Sequence, residues 1–346
     1  MWLARGRERE LTDDVCGVLQ PKPTGLEGMP EFGTSLGCAD APYIYDGSQF
    51  DFSVAVGQNQ GRGDHSMDFR GGAMGTVTLV EGEEGLTDIK YELTLRTNDE
   101  TLLESVVLDV PSKDEIDSAQ KSSRVQLVTP RLERGGPACM RYDVKVYLPP
   151  SVKTLHVQSH TTSQVKFDPE SNFNLNSLSV SMYRRDKKSM LLLTEAVHAA
   201  KMHLRITEGW LVGDTTLSGD SSFMTQDGDA VLNLRVRPAP TTDAAVHPVK
   251  LSTTTGAGRA DVTFLGHAGE THRPIDSTHV VAMGGDLYLT YKDASFNGPV
   301  DLNAKSFTAT GLQNSFKQDG GLPYAGSRDG VDKMLVKSNA WVGLYF

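Results

Sequence analysis

Trp210-Leu-Val-Gly-Asp-Thr-Thr-Leu-Ser-Gly-Asp220, followed closely by Ser222-Phe-Met-Thr-Gln-Asp-Gly-Asp-Ala-Val-Leu-Asn-Leu-Arg-Val236, alternates apolar and polar residues in short runs and breaks the alternation at glycine. Side chains of a strand point alternately to opposite faces, so such a run buries one face and wets the other. The rhythm is strand, turn, strand.

Similar runs fill the chain beyond Pro149, at 175–182, 202–206, 249–254, 260–265, 280–283, 286–291, 300–304 and 307–310, with glycines such as Gly209, Gly256, Gly285 and Gly311 between them. The segment 190–201 suits a helix or, through its run of leucines, a buried strand. Upstream, 50–56, 75–80, 89–95 and 103–110 also alternate, and the polar 114–123 reads as a loop or one short helix. Strands with sharp turns and little helix predict an all-β chain: a right-handed β-solenoid-like stack whose coils share a core, with a β-sandwich or jelly roll as the alternative. The Gly- and Pro-rich start predicts a flexible tail over 1–40, a β-rich region over 41–150 and, past the break at Pro149-Pro150, the solenoid over 151–346.

The 346 residues carry 34 Lys and Arg against 44 Asp and Glu, a net charge of −10. That balance repels phosphate backbones, so nucleic acid is not an expected partner. Arg184-Arg185-Asp186-Lys187-Lys188 is too short a basic run to reverse it. No stretch has the ~20 apolar residues of a membrane helix, the start lacks an apolar leader core, and none of the ten Asn residues begins an Asn-x-Ser/Thr sequon. Together these absences point to the cytoplasm. Of Cys16, Cys38 and Cys139, the pair Cys38 and Cys139 is the bridge to test.

The segments 209–217, 222–234, 291–302 and 334–346, each a glycine turn joined to an alternating strand, resemble the DUF4097-like adhesin β-solenoid proteins, notably those of mushroom-forming fungi. The resemblance covers about 140–346. It implies a β-solenoid displayed at a cell surface, and it brings no catalytic residues.

Chemistry-bearing residues are sparse. Asp214, Asp220, Asp227 and Asp229 crowd one stretch, where carboxylates on adjacent coils could bind calcium or act as acid and base on a polysaccharide, with Arg259 or Arg273 neutralising a uronate. Aspartate beside glycine is also what turns require. Trp210, Tyr288, Tyr291, Trp341 and Tyr345 offer a stacking surface for sugars if several share a wet face, and core packing otherwise. Histidines 156, 160, 198, 203, 267, 272 and 279 show no metal-binding spacing, and neither a nucleophile elbow nor a phosphate loop occurs. Arg62-Gly63-Asp64 matches an adhesion tripeptide but equally a plain hairpin loop. The expectation is a non-enzymatic, adhesin-like binding or structural protein with a glycan or protein partner. The alternative is a polysaccharide lyase or glycoside hydrolase using the 214–229 acids.

Overall fold

The alternating runs become strands that pair in parallel with the next strand but one, one coil further along the sequence, in a computed structural model that describes residues 25–59, 61–119, 123–133, 135–240, 247–266, 272–314 and 320–346. Two ladders result. The first stacks Ser123–Val128, Arg62–Arg70, Val152–Ser159, Phe173–Met182, Val197–Ile206, the later part of Trp210–Thr225, Val249–Thr255 and Ile275–Val281. The second stacks Met140–Leu148, Met74–Glu81, Ser163–Phe167, Met190–Leu193, the earlier part of Trp210–Thr225, Val231–Pro238, Ala260–Phe264 and Leu287–Thr290. Each coil contributes one strand to each ladder, so the chain is an all-β solenoid-like stack, not an antiparallel sandwich.

The coil order follows the sequence from 152 to 290 and is exchanged at both ends. Arg62–Glu81 lies between the coils of 123–148 and 152–167. At the far end Lys333–Tyr345 slips between the 275–290 coil and Gly298–Thr310, pairing in parallel with both. Antiparallel strands Ile89–Thr97, Phe50–Val54 and Tyr43–Ile44 close the near end of the second ladder.

Inward positions form one apolar core from Val54 to Leu344. Ala260–Phe264 shows why: Ala260, Val262 and Phe264 are buried, while Asp261 and Thr263 face outward. Glycine sits where coils touch. Gly209 adopts φ +117°, and a Cβ there would lie 2.1 Å from the Ser189 carbonyl oxygen.

Residues 25–38, read from composition as part of a tail, run across the outside of the second ladder. Arg141 donates to the carbonyls of Gly33 and Leu36, the Gly33 N–H donates to Gln164 Oε1, and Lys166 lies 4.7 Å over the Phe32 ring. Leu26, Met29 and Phe32 cover Met190, Trp210 and Val212. This cover explains the continuous apolar run at 190–193: it is the strand alternative, Met190–Leu193, buried by the core on one side and by this strap on the other. Cys38 and Cys139 are bridged, with Cα atoms 5.9 Å apart and a sequence separation of 101. Cys16 and His267 lie outside the described residues.

Candidate functional site

The acidic residues of the 214–229 stretch do not gather. Asp214 takes a two-pronged ion pair from Arg235 at 2.5 Å on each oxygen, Asp227 pairs with Arg185 at 2.5 Å, and Asp229 pairs with Lys187. Asp220 sits on the first ladder in a row of alternating charge, Lys201, Asp220, Lys250, Asp276 and Lys333, each in register with the next. Its carboxylate lies 3.8 Å from the Lys250 ammonium. Four carboxylates thus face four different cations. Opposite charges across neighbouring strands contribute about 0.2–1 kcal/mol each, which gives these side chains a role in holding coil to coil. Among the described residues, no group of three or more His, Cys, Asp or Glu side chains is disposed to hold a metal ion.

The two arginines also part company. Arg273 donates to the carbonyls of Ser218, Ala239 and His247, at 2.9 to 3.0 Å, tying turn backbones together. Arg259 forks onto Asp261 at 2.5 and 3.0 Å, and its guanidinium lies 4.3 Å over the Tyr288 ring.

Of the aromatic candidates, two are withdrawn from solvent. Trp210 is 9% exposed beneath the strap, with its indole N–H donated to the Lys187 carbonyl. Tyr291 is 1% exposed in the core. Its hydroxyl donates to Ser277 at 2.9 Å and meets His279 Nε2 at 3.0 Å. The tripeptide Arg62-Gly63-Asp64 opens the strand Arg62–Arg70, paired in a hairpin with Gly57–Asn59, and Asp64 is 3% exposed. Its acid is not on display.

The remaining three aromatics share one outer surface. In Lys333–Tyr345 the inward residues are Val342 and Leu344, both fully buried, so Trp341, Gly343 and Tyr345 point outward. Tyr288 stands in register with Gly343, and Thr308 flanks it on the other side. The missing side chain at Gly343 is what lets the rings come together: a Cβ there would lie 2.6 Å from Trp341 Cη2 and 3.0 Å from Tyr345 Cε2. Tyr288 meets Trp341 edge-on with ring centres 4.9 Å apart. Burial raises the Tyr288 phenol pKa, so the ring presents a neutral hydroxyl.

Around these half-buried rings stand groups that hydrogen-bond: Arg259 and Asp261 on one side, and Thr308, which accepts from Trp341 Nε1 at 3.4 Å, on the other. Gly25 of the strap lies beside them: a Cβ there would stand 2.7 Å from Asp261 Oδ2 and 3.0 Å from Arg259 Nε. A row of aromatic faces with a polar rim can stack on the C–H faces of a sugar while bonding its hydroxyls. Sequence supplied the members of this platform. The path of the strap separated Trp210 from Tyr288, Trp341 and Tyr345, whereas Tyr291 lies in the inward register of Leu287 and Leu289.

The comparisons with known proteins follow the fold. No family model and no curated protein matches the chain. Among solved structures it is similar to a putative cell adhesion protein from Clostridium sporogenes (TM-score 0.27, 10% identity, 86% of this chain and 98% of that one). It is also similar to putative adhesins from Bacteroides fragilis (TM-score 0.41, 10% identity, 86% and 97%) and Parabacteroides merdae (TM-score 0.40, 10% identity, 87% and 98%). These three come from bacteria, whereas the resemblance in sequence was to proteins of fungi. Likeness at this level assigns neither ligand nor activity.

Proposed function

We propose that the chain is a non-enzymatic, adhesin-like binding protein that grips a saccharide on the platform of Tyr288, Trp341 and Tyr345. The observation that carries this reading is the clustering of three half-buried rings round Gly343, with Arg259, Asp261 and Thr308 at the rim. The kinship with the DUF4097-like adhesins belongs to the same reading, as does display at a cell surface. The Cys38–Cys139 bridge supports an oxidising compartment.

A lyase or hydrolase needs an acid and a base facing one groove, at carboxylate separations of about 5–9.5 Å for hydrolysis. Asp214, Asp220, Asp227 and Asp229 instead occupy four separate ion pairs, so binding is the reading preferred. Titration of neutral oligosaccharides against the wild type and Trp341→Ala tests it. Binding by the wild type that drops about tenfold or more in the variant, at an unchanged melting temperature, is expected. A panel of neutral glycans that yields no wild-type ligand sinks the proposal.

A further inference from the structure

On the outer side of the first ladder, two guanidiniums converge on one buried carboxylate. Asp68, whose side chain is 2% exposed, accepts from Arg70 Nε at 2.9 Å, Arg124 at 2.5 Å and Gln126 Nε2 at 3.2 Å, all on its oxygen Oδ2. Its other oxygen, Oδ1, is buried with no hydrogen-bond partner among the described residues, and His160 Nε2 stands 4.0 Å from it. Register sets His156 and Gln158 beside Ser66 and Asp68 on the adjoining strand. The result is a depression of about 510 Å³ lined by Ser66, Asp68, Arg70, Arg124, His156 and Gln158. Beside it His160 stacks on Tyr183, ring centres 4.6 Å apart, and Arg205 lies 5.5 Å over the same tyrosine.

Two features of this depression ask for a ligand. Cations outnumber anions here: one carboxylate faces two guanidiniums that are 47% and 51% exposed, on a chain whose net charge is −10. A guanidinium fork matches the paired oxygens of a carboxylate or sulfate. Second, Asp68 Oδ1 is a buried acceptor without a donor among the described residues, a costly state that a ligand hydroxyl would relieve. A bare inorganic anion answers the first feature only. A sugar bearing an acidic group answers both, and the His160–Tyr183 stack gives its ring a face to lie against.

We infer that this depression is a subsite for an acidic sugar residue, its oxyanion held by Arg70 and Arg124 and a neighbouring hydroxyl donated to Asp68 Oδ1. The site belongs to the ladder opposite the aromatic platform and shares no residue with it. Its success or failure is therefore independent of that reading.

Calorimetric titration of the full chain with trigalacturonic acid, with its carboxyl-reduced counterpart, with a sulfated disaccharide and with sodium sulfate decides the matter. The acidic sugars should bind, more weakly as salt rises, and the reduced sugar should not. Arg124→Gln should weaken binding about tenfold, Arg124→Lys less, and Arg70→Gln with Arg124→Gln should abolish it, whereas Trp341→Ala should leave it unchanged. The uronate and the sulfated disaccharide, compared, show whether carboxylate or sulfate ester is preferred. Three results overturn the inference: no wild-type binding to either acidic sugar, undiminished binding by Arg124→Gln at a native melting temperature, or inorganic sulfate binding as tightly as the sugars, which is a simple ion site.

Discussion

Acid should unfold this protein from within, because two imidazoles are held neutral in its core. His279 is fully buried between Thr253, whose hydroxyl meets Nδ1 at 2.8 Å, and Tyr291, whose oxygen meets Nε2 at 3.0 Å. The Tyr291 hydroxyl donates to Ser277, so it accepts from His279 Nε2–H and leaves Nδ1 to accept from Thr253. The Tyr291 phenol also feels the charge of Asp332. His65, equally buried, sits between Ser123 and Tyr91. Burial pushes both imidazoles down to about 3 from the ordinary 6.5.

The sign follows from which state takes the proton first. The unfolded chain protonates these groups as pH falls through about 6.5, while the folded chain resists until about 3. Stability is therefore intact above about 6.5 and is lost steadily below it, at roughly 1.4 kcal/mol per pH unit per histidine. By about pH 4.5 each histidine costs roughly 3 kcal/mol and the pair roughly 5–6, a large part of the ~5–15 kcal/mol typical of a folded domain. Guanidinium denaturation followed by circular dichroism across pH 7.5 to 4.5, on the wild type and on His279→Gln, measures this. The variant should be about 1–3 kcal/mol less stable at neutral pH, having lost a buried partner. Its stability should fall less steeply with acid than the wild type's by the contribution of one histidine. Carboxylates contribute equally to both proteins, so the difference in slope isolates His279. Equal slopes below about pH 6.5 would falsify the reasoning.

Two further outcomes test the strap and the platform. Cys38→Ser should lower stability by roughly 4–5 kcal/mol on the chain-entropy account, given the 101-residue separation, and limited proteolysis should then cut within residues 25–38 before it cuts the ladders. Gly343→Ala puts a methyl 2.6 Å from Trp341 Cη2; saccharide binding should fall with Trp341 and Tyr345 displaced, while the far-ultraviolet dichroism stays native.

Strand positions were legible because burial alternates residue by residue, and a run such as Val249–Thr255 shows the same alternation in the structure. Partners were not. A period of two says which way a side chain points and nothing about which strand lies next to it, so the parallel pairing and the exchanged end coils had no local signature. Met190–Leu193 stayed ambiguous for a physical reason: both its faces are dry, the outer one under Leu26, Met29 and Phe32. The strap in turn lacks periodicity because it lies across strands and not beside one. The aromatic platform was half legible, its residues named but mixed with Trp210, whose burial depends on a strap distant in sequence, and with Tyr291, which the alternation of 287–291 turns inward. The Arg70, Arg124 and Asp68 cluster was missed because its members come from two strands more than 50 residues apart, joined only by register.

The exchanged order of the final coils bears on how the chain is made. Gly298–Thr310 emerges from the ribosome before Lys333–Tyr345, yet its parallel neighbour is that later strand, and so is the next neighbour of Ile275–Val281 and Leu287–Thr290. Coils 152 to 290 can dock one after another as they are synthesised. The 298–310 coil must wait, and its docking is complete only when residues 333–345 thread in beside it. A product cut short before that strand leaves two sets of open strand edges, the kind of surface that pairs with other chains. Docking of the 298–310 coil therefore depends on a strand that comes later in the sequence than the coil it anchors.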